Sequence, residues 1–123
     1  MTTQQIADRF YELASQGKEM EIYTELYSDD IVSIEMPGAG LERCEGKEEL
    51  AKKMAWWQEN FELHGGNNSK PLVADDCFAM RWEMDVTHKP SGMRSTSSEI
   101  GVYRVADGKI VHEQYFYSPS LEE

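Results

Sequence analysis

The sequence is poor in cysteine, poor in basic residues and free of long apolar runs. Two cysteines, Cys44 and Cys77, stand far apart with no CxxC. That usage reads as two free thiols in a reducing, cytoplasmic setting rather than a disulfide framework. Twelve Lys and Arg against 23 Asp and Glu leave a net charge of −11, which argues against nucleic acid and anionic membrane as general partners. No apolar stretch approaches the roughly 18 residues of a spanning helix, and the first ten residues lack the apolar segment of a signal peptide. The three His are scattered and none pairs at helical ligand spacing, so no metal is expected. Gly38-Ala39-Gly40 leads into neither GxGxxG nor GxxxxGK, and GxSxG is absent, so no cofactor is expected either.

Leu, Ile, Val and Phe together make up just under a fifth of the chain, close to the border of disorder at this charge. Three Trp, six Tyr and seven Met supply the missing apolar volume. The 123 residues therefore read as one domain, 1–123, with an aromatic and Met-rich interior.

Thr2-Thr3-Gln4-Gln5 has the form of a capping box, and Ile6, Phe10, Leu13 and Ala14 then fall on one helical stripe. Gly17 is a candidate C-cap. Met20, Tyr23, Leu26 and Tyr27 suggest a second short helix, broken by Ser28-Asp29-Asp30. Residues 31–36 read as a strand with Val32, Ile34 and Met36 on one face and Ser33 and Glu35 on the other. Leu50, Met54, Trp57 and Phe61 share a face of a third helix over 47–61. Residues 62–74 read as a strand interrupted at Gly65-Gly66-Asn67-Asn68 by a bulge or a bend. Phe78, Met80, Trp82, Met84 and Val86 then alternate with polar or small residues, the clearest strand in the chain. Strands over 95–105 and 109–117 follow, joined at Asp107-Gly108. Helices first and strands afterwards predict an α+β fold, with helices packed on one face of an antiparallel sheet.

Three stretches carry a family resemblance. They are Phe10-Tyr11 with Gly17, Leu26 to Asp30 leading into Ile34-Glu35-Met36-Pro37-Gly38, and Tyr103 through Val111. With them the chain resembles the SnoaL-like branch of the nuclear transport factor two-like superfamily, whose cone-shaped fold also serves ketosteroid isomerase, limonene epoxide hydrolase and polyketide cyclases. The resemblance implies a cone in which helices pack on a curved antiparallel or mixed sheet, with a pocket between them. It says less about chemistry, because this fold hosts many functions. The isomerase's Asp base falls on Met36, its oxyanion-hole Asp on Gly101, and its Tyr on Phe10 or, with a slip of one, Tyr11. At least two of its three groups are thus missing.

A three-residue hairpin loop at Ala106-Asp107-Gly108 would set Tyr103 opposite Val111, Gly101 opposite Glu113 and Glu99 opposite Tyr115; a two-residue loop would slip that register. By resemblance, the face carrying Glu99, Gly101, Tyr103, Glu113, Tyr115 and Tyr117 turns to the pocket. Adjacent Glu99 and Glu113 would form an acid–base pair with one raised pKa, or else be hydrogen-bonded and merely shape the cavity. His64 is a third candidate for catalysis, or a residue that satisfies nearby backbone. Trp57, Trp82, Tyr103, Tyr115, Tyr117, Met36, Met80 and Phe10 are the candidate ligand wall; the aromatics among them read equally as core. The expected function is binding of a small hydrophobic or aromatic metabolite, with cofactor-free isomerisation, cyclisation or epoxide hydrolysis as the candidate chemistry. The alternatives are binding without chemistry, and a homodimer through the outer sheet face, as relatives often form.

Overall fold

Helix α1 (Thr3–Ser15) begins where the capping box places it. The Gln5 amide donates to Thr2 Oγ1 at 3.2 Å, and Thr2 N–H returns a bond to Gln5 Oε1 at 2.9 Å. It ends in a Schellman turn, with Lys18 N–H on Leu13 O and Gly17 N–H on Ala14 O, at a glycine with φ of 70°. Ile6, Ala7, Phe10, Leu13 and Ala14 are buried along one stripe. The computed structural model describes residues 1–118.

Helix α2 (Glu19–Leu26) buries Ile22 and Leu26, whereas Met20 stays 58% exposed. Strand β1 (Tyr27–Ile34) follows without a break. Tyr27, expected on the second helix, opens this strand, and Ser28-Asp29-Asp30 is extended; an irregularity in its pairing between Tyr27 and Val32 absorbs the polar run. A three-residue strand β2 (Arg43–Glu45) pairs with β1 and leads into helix α3 (Lys47–Asn60). Then come β3 (Phe61–Asn68), the short β4 (Leu72–Ala74), β5 (Cys77–His88), β6 (Met93–Ala106) and β7 (Lys109–Phe116). Neither β2 nor β4 carries enough alternation to be read from sequence.

The seven strands form one mixed sheet in the order β2-β1-β7-β6-β5-β3, with β4 on β5. Every pairing is antiparallel except β1 with β7. The three helices contact this sheet, α1 at β3, β4 and β5, α2 at β1, and α3 at β1, β2 and β3. The closed end of the cone is aromatic and aliphatic. Phe10 packs against Phe78, Tyr103 and Trp82, with ring centroids 5.5, 4.7 and 6.0 Å away. Ile6, Leu13, Leu26, Ile31, Met80 and Ile110 complete it.

Two expectations are corrected here. The β6–β7 hairpin has a two-residue turn, with Ala106 paired to Lys109, and a register shift then follows between Arg104 and Val105. The turn and the bulge each displace the register by one, so Tyr103 faces Glu113 and Gly101 faces Tyr115. Because the two slips add to an even number, the inward set of side chains is unchanged. On β1 the inward residues include Ile31 and Ser33, both buried, rather than the more apolar set of Val32, Ile34 and Met36. Alternation misleads there because Ser33 is satisfied by a buried carboxyl.

Gly101 is required by packing. A Cβ at that position would collide with the Tyr103 hydroxyl and stand 3.0 Å from the Tyr115 ring. Tyr103 is fully buried and has nowhere to retreat. Gly101→Ala is expected to cost about 1–3 kcal/mol in urea unfolding, the usual penalty of overpacking; an unchanged midpoint would show that the two rings can part.

Candidate functional site

Parallel pairing of β1 with β7 sets Ser33 beside Glu113, and that contact organises the interior. Glu113 is 3% exposed. Its Oε2 accepts from Ser33 Oγ at 2.6 Å, and its Oε1 accepts from Tyr115 at 2.9 Å and from the Tyr27 hydroxyl. Three hydroxyl donors around one carboxyl suit an acceptor-only carboxylate.

The network extends both ways. Toward the helices, Lys53 on α3 donates from Nζ to Ser33 Oγ at 3.0 Å and to Glu35, and it lies 5.6 Å from the centre of the Tyr115 ring. Tyr117 donates to Glu35 Oε1 at 2.6 Å. Toward the core, the Trp82 indole N–H donates to Tyr103 Oη at 2.8 Å, and the Tyr103 and Tyr115 rings meet edge to face with centroids 6.1 Å apart. Burial first, and then the negative charge of Glu113, push the phenols of Tyr27, Tyr103 and Tyr115 above the usual tyrosine range. They are therefore held neutral, and Tyr27 and Tyr115 serve as donors to Glu113.

The other candidate residues are distributed as follows. Phe10, Met80 and Tyr103 are core residues, almost fully buried. Trp82 and Tyr115 are half-buried against that core. Trp57 stacks on Phe61 at 5.2 Å, and Tyr117 joins Glu35 at the open end. Glu99 pairs across β5 with Trp82, one residue past the final β6–β7 pair, Ile100 with Phe116. Glu99 is therefore four residues along β6 from Tyr103, the partner of Glu113, whereas the expected register set it two residues from that partner. His64 sits at the irregularity of β3, exposed, with Nε2 2.7 Å from Thr87 Oγ1, and takes no part in the network. Met36 lies past the end of β1, and it is Glu35, its neighbour, that reaches the network. Two surface depressions, of about 340 and 550 Å³, lie away from these residues, one over β3, β5 and β6 and one at the start of α3. No group of three metal-type ligands occurs among the described residues. Nor, among them, is any helix long and apolar enough to cross a membrane.

Sequence reasoning missed Tyr27, Ser33, Glu35 and Lys53. Lys53 did carry a signal. It falls with Leu50, Met54 and Trp57 on one helical stripe, where an isolated cation among apolar neighbours marks an inward charge.

The family model described as SnoaL-like domain matches residues 1–117. The chain belongs to the SnoaL-like domain family. A crystal structure of a candidate SnoaL-like polyketide cyclase from Mesorhizobium loti is 43% identical, covering 95% of this chain and 100% of that one, with a TM-score of 0.92. An NTF2-like protein of Burkholderia thailandensis is 19% identical over 99% of this chain and 95% of its own, at a TM-score of 0.85. TerC, co-crystallised with polyporic acid, is 14% identical over 98% and 94%, at a TM-score of 0.75. The last two are likenesses of fold alone. No curated protein matches the sequence.

The raised phenols of this SnoaL-like domain make alkali a probe of the network. Each folded pKa lies above the unfolded value near 10, so their contribution to stability is intact below about pH 10 and is lost as pH rises through the folded values. Absorbance at 295 nm and far-UV circular dichroism followed together should show a late phenolate step coincident with unfolding. Tyr115→Phe should shrink that step. Complete ionisation near pH 10 with the fold intact would contradict the buried arrangement.

Proposed function

We propose that this SnoaL-like domain binds a small hydrophobic or aromatic metabolite at the open end of the cone, between α3 and the inner sheet face. Glu113 is then the proton-handling group of a cofactor-free isomerisation, cyclisation or hydrolysis. The observation that carries the reading is the carboxyl itself. A 3% exposed Glu113 held by three hydroxyls has both oxygens preorganised, and a network leads from it to half-buried groups. Trp57, Trp82, Tyr115 and Tyr117 supply a half-buried aromatic wall around the route. The fold neighbour TerC was co-crystallised with a small molecule, polyporic acid, which supports small-molecule binding.

In this mechanism Glu113 takes a proton from an acidified C–H or O–H of the substrate and returns it at another atom, so nothing is oxidised or reduced. Tyr115 and Ser33 are placed to pass that proton, since each already donates to the carboxyl. Lys53 balances the charge through Ser33 and Glu35, and Glu99 borders the aromatic wall beside Trp82. In a cytoplasmic setting Cys44 and Cys77, both free, stay reduced.

A second reading has its own observation. Ile100 and Phe116 are direct partners on the outer sheet face and are 41% and 45% exposed. Exposed apolar side chains on a sheet face without helices favour a homodimer. If that is their role, Phe116→Glu should turn the dimer into a folded monomer in size-exclusion chromatography with light scattering. A wild-type protein that is already monomeric would remove the idea.

Native mass spectrometry with pooled steroid-like, polyketide-like and terpenoid compounds tests the first reading, followed by turnover assays of whatever binds. Glu113→Gln is expected to lower turnover by about 10²–10⁴-fold, with folding checked by circular dichroism. Unchanged turnover would clear Glu113 of the role, and an adduct that is never converted would leave a binding protein.

A further inference from the structure

Strand β3 carries one amide that nothing in the interior answers. Asn68 is the Cα partner of Trp82, and residues directly opposite on an antiparallel pair share a face. Trp82 points inward, against Phe10 and Tyr103, so Asn68 points inward as well. This placement depends on the irregularity between Leu63 and Gly65; an unbroken ladder would set Asn68 opposite Arg81 and turn it outward. Gly66 locks the arrangement. A Cβ there would collide with the Glu83 carbonyl, so β3 lies hard against β5 two residues before the amide.

Among the described residues, Asn68 Nδ2 is the one buried side-chain nitrogen or oxygen without a hydrogen-bond partner. A structural water would need two to four polar partners. Of the inner-face positions flanking Asn68, Gly66 has no side chain and the Trp82 indole offers no acceptor. One acceptor oxygen on an otherwise apolar molecule would answer this donor.

We propose that Asn68 is a recognition residue of the cone, donating its amide N–H to a carbonyl or ether oxygen on a bound hydrophobic or aromatic molecule. This rests on the cone being a small-molecule site, and it specifies which ligand chemistry that site selects. An oxygen acceptor is favoured because its absence leaves a buried donor unpaired.

The test uses a matched pair, 1-tetralone and its oxygen-free counterpart tetralin, with calorimetric binding to wild type, Asn68→Leu and Asn68→Ala. Wild type is expected to prefer the ketone by about tenfold, and both variants to lose that preference. The ligand-free Asn68→Leu protein is expected to melt about 3–6 °C higher, because an orphaned donor has been removed. Equal binding of the two probes by wild type, a preference that survives in the variants, or a lower melting temperature in ligand-free Asn68→Leu would each overturn the assignment while leaving the cone as a site. Failure of wild type to bind either probe would remove the cone reading, and this proposal with it.

Discussion

The structure depends on satisfying one buried carboxyl. Removing an ionised group from water costs several kcal/mol even after relaxation, so Glu113 must find donors within the fold. It finds them at three positions on two strands, at Tyr27 where β1 begins, at Ser33 further along it, and at Tyr115 on its own strand. Each donor constrains a neighbour. Ser33 reaches the carboxyl only if β1 runs parallel to β7, the one parallel pairing in the sheet. Tyr115 and Tyr103 fit together only because position 101 has no side chain.

The same network divides the cone into two regions with different chemistry. Below Glu113 the packing is aromatic and aliphatic, closed by Phe10, Phe78 and Met80. Above it lie a charged pair, Lys53 with Glu35, and half-buried rings. A domain with a net charge of −11 thus keeps one cation inward on α3, where it offsets Glu35 and steadies the Ser33 hydroxyl on which Glu113 depends. The boundary between the two regions is the row of tyrosine hydroxyls.

Much of the architecture was legible because it rests on local signals. The capping box, the Gly17 turn, the stripe on α1 and the alternation of β5 are all properties of neighbouring residues, and they appear where patterning places them. The site was legible only in part. Glu113 and its partner Tyr115 were singled out, yet Tyr27, Ser33 and Lys53 were not, since they lie far from Glu113 along the chain. Polar residues on β1 read as solvent-facing when the interior is assumed apolar, and here the interior is polar at that point. The expected register, with Glu99 opposite Tyr115 and close to Glu113, differs from the observed one because a turn one residue shorter and a bulge together moved the ladder by two. Parity survived that error, which is why the inward set was right while the neighbours were not.

The parallel pairing of β1 with β7 also bears on how the molecule is made. Ser33 and Glu113 are 80 residues apart, so the strand that emerges early from the ribosome has its central partner only when nearly the whole domain has been synthesised. Until then β1 has β2 on one side and a bare edge on the other, and the inner faces of α1 and α2 have no complete sheet to cover them. Contacts of such long range form slowly and leave the nascent chain exposed to association with its neighbours. The aspartates at 29 and 30, extended and exposed on that waiting strand, are charges of the kind that discourage edge-to-edge pairing in the interval.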